Sequence, residues 1–137
     1  MAEYPKPIPE PDEKSAPWFA GTTRHELLLQ HCRTCDGYQW PVWEHCNACW
    51  ATDLEWAPSK GQGTVFTWAL MHQIIDPAFA AEAPYNVAVV ELDEGPRLNT
   101  QIAAAAPGEI RVGLRVEVDW DDIAPHVSLP RFRPVRA

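Results

Sequence analysis

The stretch that decides the fold is HCRTCDGYQWPVWEHCNAC, residues 31–49, which contains all four cysteines of the chain. They are spaced as Cys-x2-Cys-x10-Cys-x2-Cys, at Cys32, Cys35, Cys46 and Cys49. Two Cys-x-x-Cys turns joined by a short hairpin are typical of zinc ribbons, because each turn brings two thiolates to one side of a tetrahedral metal. The spacing therefore predicts one structural zinc ion bound by the four thiolates.

Other uses of the four cysteines remain open. Iron can occupy a four-thiolate site, and disulfides or redox chemistry would use the same residues. Disulfides are the weaker alternative, because the N-terminal MAEYPKPIPEPDEK lacks the basic patch and apolar segment of a secretory signal and cytosolic thiols are kept reduced. His31 and His45 each precede a cysteine, which makes a mixed Cys/His site conceivable. We expect both histidines to flank the site, since four thiolates already complete the coordination.

The residues around the cysteines predict a structural rather than a catalytic metal. A four-thiolate zinc site has no coordination position open to water, so it does not catalyse. The ribbon spans only about 30 residues, too few to bury a core unaided, and zinc binding supplies the missing folding free energy. We expect the tryptophans of this region to cover the metal and pack the ribbon on the next domain, with a ligand platform as the alternative. These residues are Trp40, Trp43, Trp50 and Trp56.

Length, composition and charge narrow the functional classes. The chain has 137 residues, 46% hydrophobic and 22% charged, which suffices for one domain's worth of packed core. No apolar run approaches the roughly 20 residues of a transmembrane helix, and we expect a cytoplasmic protein without membrane contact. Nineteen acidic residues against 11 basic ones give a formal charge of −8, which opposes binding to the phosphate backbone of nucleic acids.

The chain divides into an extended arm over residues 1–11, a helix plus the zinc ribbon over 12–58, and a barrel over 59–137. Prolines at alternate positions predict the extended arm, which is either a disordered tail or a segment lying across a partner subunit. In the second part, DEKSAPWFA indicates a short helix that Gly21 closes as its C-terminal cap. Residues 25–31, HELLLQH, then suit a strand leading into the first cysteine.

After the ribbon the pattern changes to short β segments separated by turn signals. These segments are TVFTWALMHQII, YNVAVVELD, RLNTQIA, LRVEVDWDDI and HVSLPRFRPV. Five strands in roughly 75 residues predict a small Greek-key barrel of the oligonucleotide/oligosaccharide-binding (OB) type, with an SH3-like barrel as the alternative. The predicted fold class is therefore mainly β, with an N-terminal helix and zinc ribbon before a five-stranded OB barrel.

Taken in order, these motifs resemble a known family. The similarity covers residues from about 12 to 136. It is to small proteins that combine a rubredoxin-like zinc ribbon with a C-terminal OB fold, catalogued as domain-of-unknown-function family thirty-five. The most specific marks are the four cysteines, Gly61-x-Gly63-Thr64-Val65, Pro84-Tyr85, the ELDEGPR run from Glu91 to Arg97, and Phe132-Arg133-Pro134.

The resemblance implies an accessory subunit of an acyl-CoA enzyme. Members of the family are similar to partners of thiolase-fold acyltransferases, ketosynthase-like synthases and aldolases that cleave steroid side-chain CoA thioesters, and some are linked to MaoC-like enoyl-CoA hydratases. The partner generally supplies the catalytic residues, and the small subunit shapes a CoA channel or stabilises the assembly. The resemblance therefore implies a hetero-oligomer of lipid or steroid metabolism, with a CoA thioester shared between the subunits.

The residues themselves offer no convincing catalytic set. His72 and His126 are not paired with a nucleophile by any motif, and Ser59 and Ser128 do not lie in a nucleophile elbow. The alternative function is an independent OB-fold module for single-stranded nucleic acid or a sugar. Its aromatic residues exist, but a basic groove is missing apart from the C-terminal arginines.

The C-terminal Leu-Pro-Arg-Phe-Arg-Pro run is the candidate contact with the partner or with CoA. Phe132 offers an aromatic anchor, and Arg131 and Arg133 suit carboxylates or CoA phosphates. The alternative is that Phe132 closes the bottom of the barrel and the two arginines are solvated. The structure of the chain distinguishes between the two.

Overall fold

A computed structural model describes residues 4–136 of the chain, so Met1 to Glu3 of the predicted arm and Ala137 lie outside the described residues. Within them the chain is mostly β, with one α-helix and two short 3₁₀ helices over Pro77–Glu82 and Pro107–Glu109. The elements in chain order are α1 (Ala16–Thr23), β1 (Leu28–Cys32), β2 (Tyr38–Gln39), β3 (Leu54–Pro58), β4 (Gln62–Met71), β5 (Tyr85–Leu92), β6 (Arg97–Thr100), β7 (Arg115–Ala124) and β8 (Val127–Pro134). No helix of the described part is long and apolar enough to cross a membrane.

Two antiparallel sheets follow one another along the chain. The first has three strands in the order β2-β1-β3, and the second has five in the order β6-β5-β4-β7-β8. An isolated parallel bridge between Ile102 and Phe132 joins the two ends of the larger sheet. A register shift between Val65 and Thr67 bends β4, as a β-bulge does, and this helps the sheet to curl. The predicted five-stranded OB-type barrel is confirmed.

One continuous core connects the helix, the first sheet and the barrel. Leu29 of β1 is fully buried, and so are residues from four of the five barrel strands. Trp18 of α1 belongs to the same cluster, so the helix is fixed to both parts of the chain. Burial of these apolar side chains is the main force that holds the ribbon against the barrel. The barrel residues at this centre are Val65, Val90, Leu92, Val116 and Phe132.

The Gly-x-Gly signal before β4 serves close packing between strands. Gly61 has φ +73°, and a Cβ at this position would lie 2.6 Å from Cγ1 of Val118. A Cβ on Gly63 would lie 2.5 Å from the carbonyl oxygen of Glu91 on the paired strand. Because real Cβ atoms do not approach that closely, both positions require glycine.

The helix differs from the sequence prediction at both ends. Asp12 and Ser15 bond reciprocally, with the Ser15 N–H donating to Asp12 Oδ1 over 2.8 Å and the Asp12 N–H to Ser15 Oγ over 3.0 Å. This turn delays the start of the helix to Ala16. Gly21 is not the C-terminal cap: it lies inside α1, where a Cβ would meet the Leu28 side chain at 2.7 Å. The helix therefore needs glycine there to approach β1.

Two predicted strands also have different bounds. The strand predicted over residues 25–31 runs from Leu28 to Cys32, because His25 adopts φ +59° directly after the helix. The strand predicted from TVFTWALMHQII ends at Met71. Asp76 then accepts a hydrogen bond from the Ala78 N–H and begins a 3₁₀ helix that the alternation of residues did not reveal.

The described part of the proline-spaced arm lies on the chain's own barrel. It has no helix or strand over residues 4–11, in agreement with the predicted extended conformation. Lys6 Nζ forms an ion pair with Glu82 at 2.8 Å and lies 5.5 Å from the centre of the Phe79 ring. The described part of the arm therefore contacts its own subunit.

Candidate metal centre and adjoining surfaces

The four cysteine sulfurs form one cluster whose members all lie within 4.8 Å of one another. The Cys32 and Cys49 sulfurs are 3.6 Å apart, and so are those of Cys35 and Cys46. Four thiolates around a tetrahedral zinc, with Zn–S bonds of about 2.3 Å, require sulfur–sulfur distances of about 3.8 Å. The side chains of this chain therefore fit a four-thiolate zinc ion.

The two halves of the cluster have the same backbone design. In the first, the Asp36 N–H donates to the Cys32 carbonyl over 2.8 Å, and in the second, the Trp50 N–H donates to the Cys46 carbonyl over 2.9 Å. Asp36 and Trp50 both have positive φ, +65° and +67°. Aspartate tolerates this left-handed conformation well, whereas a tryptophan in it is unusual.

Backbone hydrogen bonds lower the pKa values of the thiols, whereas burial and neighbouring sulfurs raise them. The Cys49 N–H is the main cause that lowers the pKa of Cys46 to about 6, and the Cys35 N–H lowers the pKa of Cys32. The Ala51 N–H acts in the same direction on Cys49, but desolvation and the neighbouring sulfurs outweigh it and raise the pKa of Cys49 to about 12. Four sulfurs this close do not all carry negative charge unless a cation lies between them, and a divalent metal supplies that charge.

Neither flanking histidine belongs to the sulfur cluster of the described chain, in agreement with the prediction. The two nitrogens of His31 each lie 2.6 Å from a carboxylate, Nε2 from Asp36 and Nδ1 from Glu55. The Asp36 carboxylate and then that of Glu55 raise the pKa of His31. His45 stacks on the Trp50 ring with 4.5 Å between ring centres. His31 therefore ties the first Cys-x-x-Cys turn to β3.

Two buried glutamines hold the second half of the ribbon in place, and the sequence analysis did not single them out. Gln39 Nε2 donates to Gln30 Oε1 over 2.9 Å. Gln30 also accepts from the Trp43 N–H and donates to the Trp43 carbonyl, each over 2.9 Å. Gln39 accepts from the Asn47 N–H over 2.8 Å and donates to the His45 carbonyl over 3.1 Å. The loop before the third cysteine is thus fixed by side chains from the sheet.

The four ribbon tryptophans divide into two pairs. Trp40 and Trp56 pack against the core, as predicted. Trp43 and Trp50 remain 58% and 73% exposed, so for these two the expectation that they cover the metal and pack on the next domain is wrong. Each lies in a connection rather than on a strand of the first sheet.

The three candidate contact residues near the C-terminus differ in burial. Phe132 is fully buried and belongs to the barrel core, so its predicted role as a surface anchor is wrong, and it closes the barrel instead. Arg133 pairs with Glu117 at 3.2 Å on the neighbouring strand. Arg131 has a longer contact of 3.5 Å with Asp121, and its side chain is 22% exposed. Alternation along β8 places the phenylalanine inside the barrel and both arginines outside.

An apolar groove of about 290 Å³ lies between α1, the ribbon and the barrel. Trp18 and Trp40 line it, and their rings meet edge to face with centres 5.6 Å apart. Neither indole N–H has a hydrogen-bond partner within the described residues. Arg131 borders the groove together with Leu98 and Leu129. The groove thus combines an apolar lining with one cationic side chain.

Comparison with known proteins assigns the chain to a family. Models of the ChsH2 rubredoxin-like zinc ribbon domain and the ChsH2 C-terminal OB-fold domain match residues 19–55 and 56–121. A chain of the solved "Ltp2-ChsH2(DUF35) aldolase" is 35% identical and superposes with a TM-score of 0.82, covering 93% of this chain and 98% of that one. The chain belongs to the ChsH2/DUF35 family. The predicted resemblance and fold class of this DUF35 chain are confirmed.

Two curated relatives of the DUF35 chain carry informative names. A "Probable enoyl-CoA hydratase alpha subunit" of Thermomonospora curvata is 36% identical over 94% of this chain and 40% of its own length. The chain thus spans about two fifths of that relative. A "DUF35 domain-containing scaffold protein" of Methanocaldococcus jannaschii is 33% identical over 73% of this chain and 71% of its own length.

Proposed function

We propose that this DUF35 chain is a non-catalytic, zinc-binding accessory subunit of an acyl-CoA enzyme complex whose catalytic subunit has a thiolase fold. The observation that carries the proposal is the likeness to an aldolase chain over 98% of that chain, because it extends over a whole polypeptide rather than one motif. Residues 12–58 form the metal-binding part and residues 59–137 the barrel. A MaoC-like hydratase is the second candidate partner, supported by the name of the Thermomonospora curvata relative.

The side-chain contacts support a subunit without chemistry of its own. In the described residues, no hydrogen bond joins a histidine to a serine, threonine or cysteine side chain. His25 bonds instead to the Asp122 carboxylate at 2.8 Å, and Ser128 donates to the same carboxylate oxygen over 2.6 Å. A carboxylate lying between the two holds the imidazole away from the hydroxyl that it would have to activate. The thiols lie in the metal cluster.

The proposed metal is one zinc ion held by Cys32, Cys35, Cys46 and Cys49. When bound, a closed four-thiolate zinc supplies folding free energy and no Lewis-acid position for a substrate. Free thiolates arranged for metal binding suit a reducing compartment, so we place the complex in the cytoplasm.

The groove beside α1 supports a CoA thioester shared with the catalytic subunit. Its lining of tryptophan and leucine side chains suits an acyl chain. Arg131 has its long contact with Asp121 and borders the groove, so its guanidinium remains the candidate contact for a CoA phosphate. Arg133 is the weaker candidate because its guanidinium already forms an ion pair with Glu117.

The charge arrangement disfavours the alternative of a nucleic-acid-binding OB module. Five of the six arginines of the barrel region pair with nearby carboxylates, the exception among the described residues being Arg111, so they do not form an unpaired basic groove. The pairs in the described chain are Arg97–Glu91, Arg115–Asp93, Arg131–Asp121, Arg133–Glu117 and Arg136–Glu109. A single-strand groove needs cationic side chains that remain free to meet phosphates.

Co-expression tests the proposal directly. The tagged chain is expressed with a thiolase-like protein, chosen from its own genome where one is encoded nearby, and the pair is purified and resolved by size exclusion. We expect a stable complex that acts on acyl-CoA thioesters, whereas the purified chain alone shows no turnover. Steady turnover by the isolated chain that a single substitution abolishes would overturn the accessory role. Failure of the two proteins to co-purify would overturn the thiolase-like partner.

A further inference from the structure

The strongest unexplained feature is a group of exposed aromatic rings beside the metal cluster. Trp43, His45 and Trp50 form what we call the indole patch. His45 lies against both indoles, stacked on Trp50 with an interplanar angle of 16° and edge-on to Trp43 with 6.1 Å between ring centres. The two tryptophans are 58% and 73% exposed. Two neighbouring indoles expose on the order of 300 Å² of mostly apolar surface, the size of patch that is often functional on a small protein.

Nothing within the described chain accounts for a tryptophan at residue 50. Its φ of +67° belongs to the left-handed region, which glycine adopts freely and a bulky side chain disfavours. Apart from its stacking on the half-buried His45 ring, the indole has no place in the packed core. The backbone conformation therefore opposes folding and the exposed ring gains little burial to offset it, whereas a docked partner would supply that burial.

The patch is held rigidly, as a preformed binding surface requires. Buried Gln30 bonds to both backbone groups of Trp43, and the Trp50 N–H donates to the Cys46 carbonyl. A backbone fixed before contact, with the His45 ring packed against both indoles, loses little conformational entropy on binding. Tryptophan is also among the residues that most often dominate binding energy at protein interfaces.

Charge indicates which kind of partner fits the patch. From residue 28 to residue 58 the ribbon carries one arginine against four carboxylates, and Lys14 of the preceding turn pairs with Glu44 at 2.7 Å, which leaves a formal charge of −2. The four-thiolate zinc, with its charge of −2, makes this about −4. Such a surface repels nucleic acid, an anionic bilayer and a second copy of itself. It attracts an apolar recess on another protein that is bordered by lysine and arginine.

We propose that the indole patch is the surface on which the catalytic subunit docks, through an apolar recess bordered by basic side chains. This inference rests on the proposed function and names the surface through which the complex forms. Trp50 is the central anchor and Trp43 the second. The barrel face around the 3₁₀ helix after β4, which exposes Ile75 by 86%, is not part of this surface.

The test uses the co-expressed, zinc-loaded complex with the thiolase-like subunit. Trp50→Gly is the decisive variant, because glycine suits the φ of this position and the fold is expected to be retained or stabilised. Trp43→Gln is the second variant, and Ile75→Ser is the matched control for loss of an exposed apolar side chain. We expect Trp50→Gly to weaken binding of the catalytic subunit by about thirtyfold or more, the loss typical of a dominant interface residue. Ile75→Ser leaves the affinity within about twofold.

Zinc content and thermal unfolding of each variant confirm that it is folded. Raising the salt concentration is expected to weaken the wild-type complex, because the ribbon and the recess carry opposite charge. If wild type binds and both tryptophan variants bind equally well, the inference is overturned while the proposed function stands. If wild type does not bind, the proposed function fails and the inference fails with it. A concentration-dependent homodimer, or binding to anionic vesicles, that Trp50→Gly abolishes would assign the patch to a different occupant and also overturn the inference.

Discussion

Replacement of Phe132 by alanine tests whether this residue belongs to the core or to an interface. The side chain is fully buried, and its backbone joins the two ends of the curled sheet through the bridge to Ile102. The Phe132 N–H donates to the Gln101 carbonyl over 3.1 Å, and the Ala103 N–H donates to the Phe132 carbonyl over 2.6 Å. These main-chain bonds survive the substitution and hold the cavity open. We therefore expect the full cost of a phenylalanine deleted from a core, about 3–5 kcal/mol of unfolding free energy.

Urea unfolding of the zinc-loaded chain, followed by tryptophan fluorescence, measures this loss. A small domain has about 5–15 kcal/mol of total stability, so Phe132→Leu, expected to lose less than about 1.5 kcal/mol, is included as a milder variant. Phe66→Ala is the matched control, because this ring is 44% exposed and lies beneath the Arg97 guanidinium, which is 3.7 Å from its centre. We expect it to cost about 0.5–1 kcal/mol. A stable Phe132→Ala protein that has lost affinity for the catalytic subunit would refute the core assignment and restore the surface anchor.

Three further outcomes follow from the metal cluster, the strand packing and one carboxylate. Elemental analysis is expected to find one zinc per colourless chain, and Cys46→Ser to lose the metal while the barrel remains folded. A red iron chromophore, or a purified wild-type protein whose ribbon is ordered without metal, would contradict the zinc assignment. Gly63→Ala is expected to lose about 1–3 kcal/mol, because its Cβ would meet a backbone carbonyl at 2.5 Å; Gly108→Ala, with open space around its Cβ, is the control and stays within about 0.5 kcal/mol. The Ser128 hydroxyl and then His25 lower the pKa of Asp122 below its usual 3.8, so its stabilising effect is complete above that value and is lost as the pH falls through the lower pKa of the folded state. Acid titrations of stability are therefore expected to be flatter for Asp122→Asn than for wild type, and identical profiles would show that the carboxylate is not engaged.

Much of the fold was predictable because its signals are local. Cysteine spacing identifies the ribbon, since the Cys-x-x-Cys turn fixes two ligands whatever the rest of the chain does. Alternation along Val116, Val118 and Trp120 identifies β7, because side chains of a strand point alternately to its two faces. The end of the helix was mispredicted because the contact that decides it is not local in the sequence. Gly21 looks like a cap in sequence, and only its contact with Leu28 on a neighbouring element shows that it serves packing.

The adjoining surfaces were less predictable because exposure depends on contacts between distant segments. Trp40 and Trp43 lie in the same short stretch of sequence, yet Trp40 packs on the core and Trp43 is 58% exposed. As a linear sequence motif, Phe132 and its neighbouring arginines suggest a surface contact, but strand alternation places the phenylalanine ring inside the barrel. The signal that does find these cases is the period of two along β8, applied to each residue rather than to the motif as a whole.

The metal cluster and the indole patch share the second Cys-x-x-Cys turn. His45 and Trp50 immediately flank the second pair of cysteines, and the Trp50 N–H bonds to the Cys46 carbonyl inside the same turn. Removing the metal would release this turn, while the barrel retains its own buried core around Val65 and Phe132. In our proposal the metal site, which is closed to substrate, serves docking: it holds the two indoles in place for the catalytic subunit. Chelation of zinc is accordingly expected to abolish complex formation while leaving the unfolding transition of the barrel, and a chelated chain that still binds its partner would separate the metal from docking.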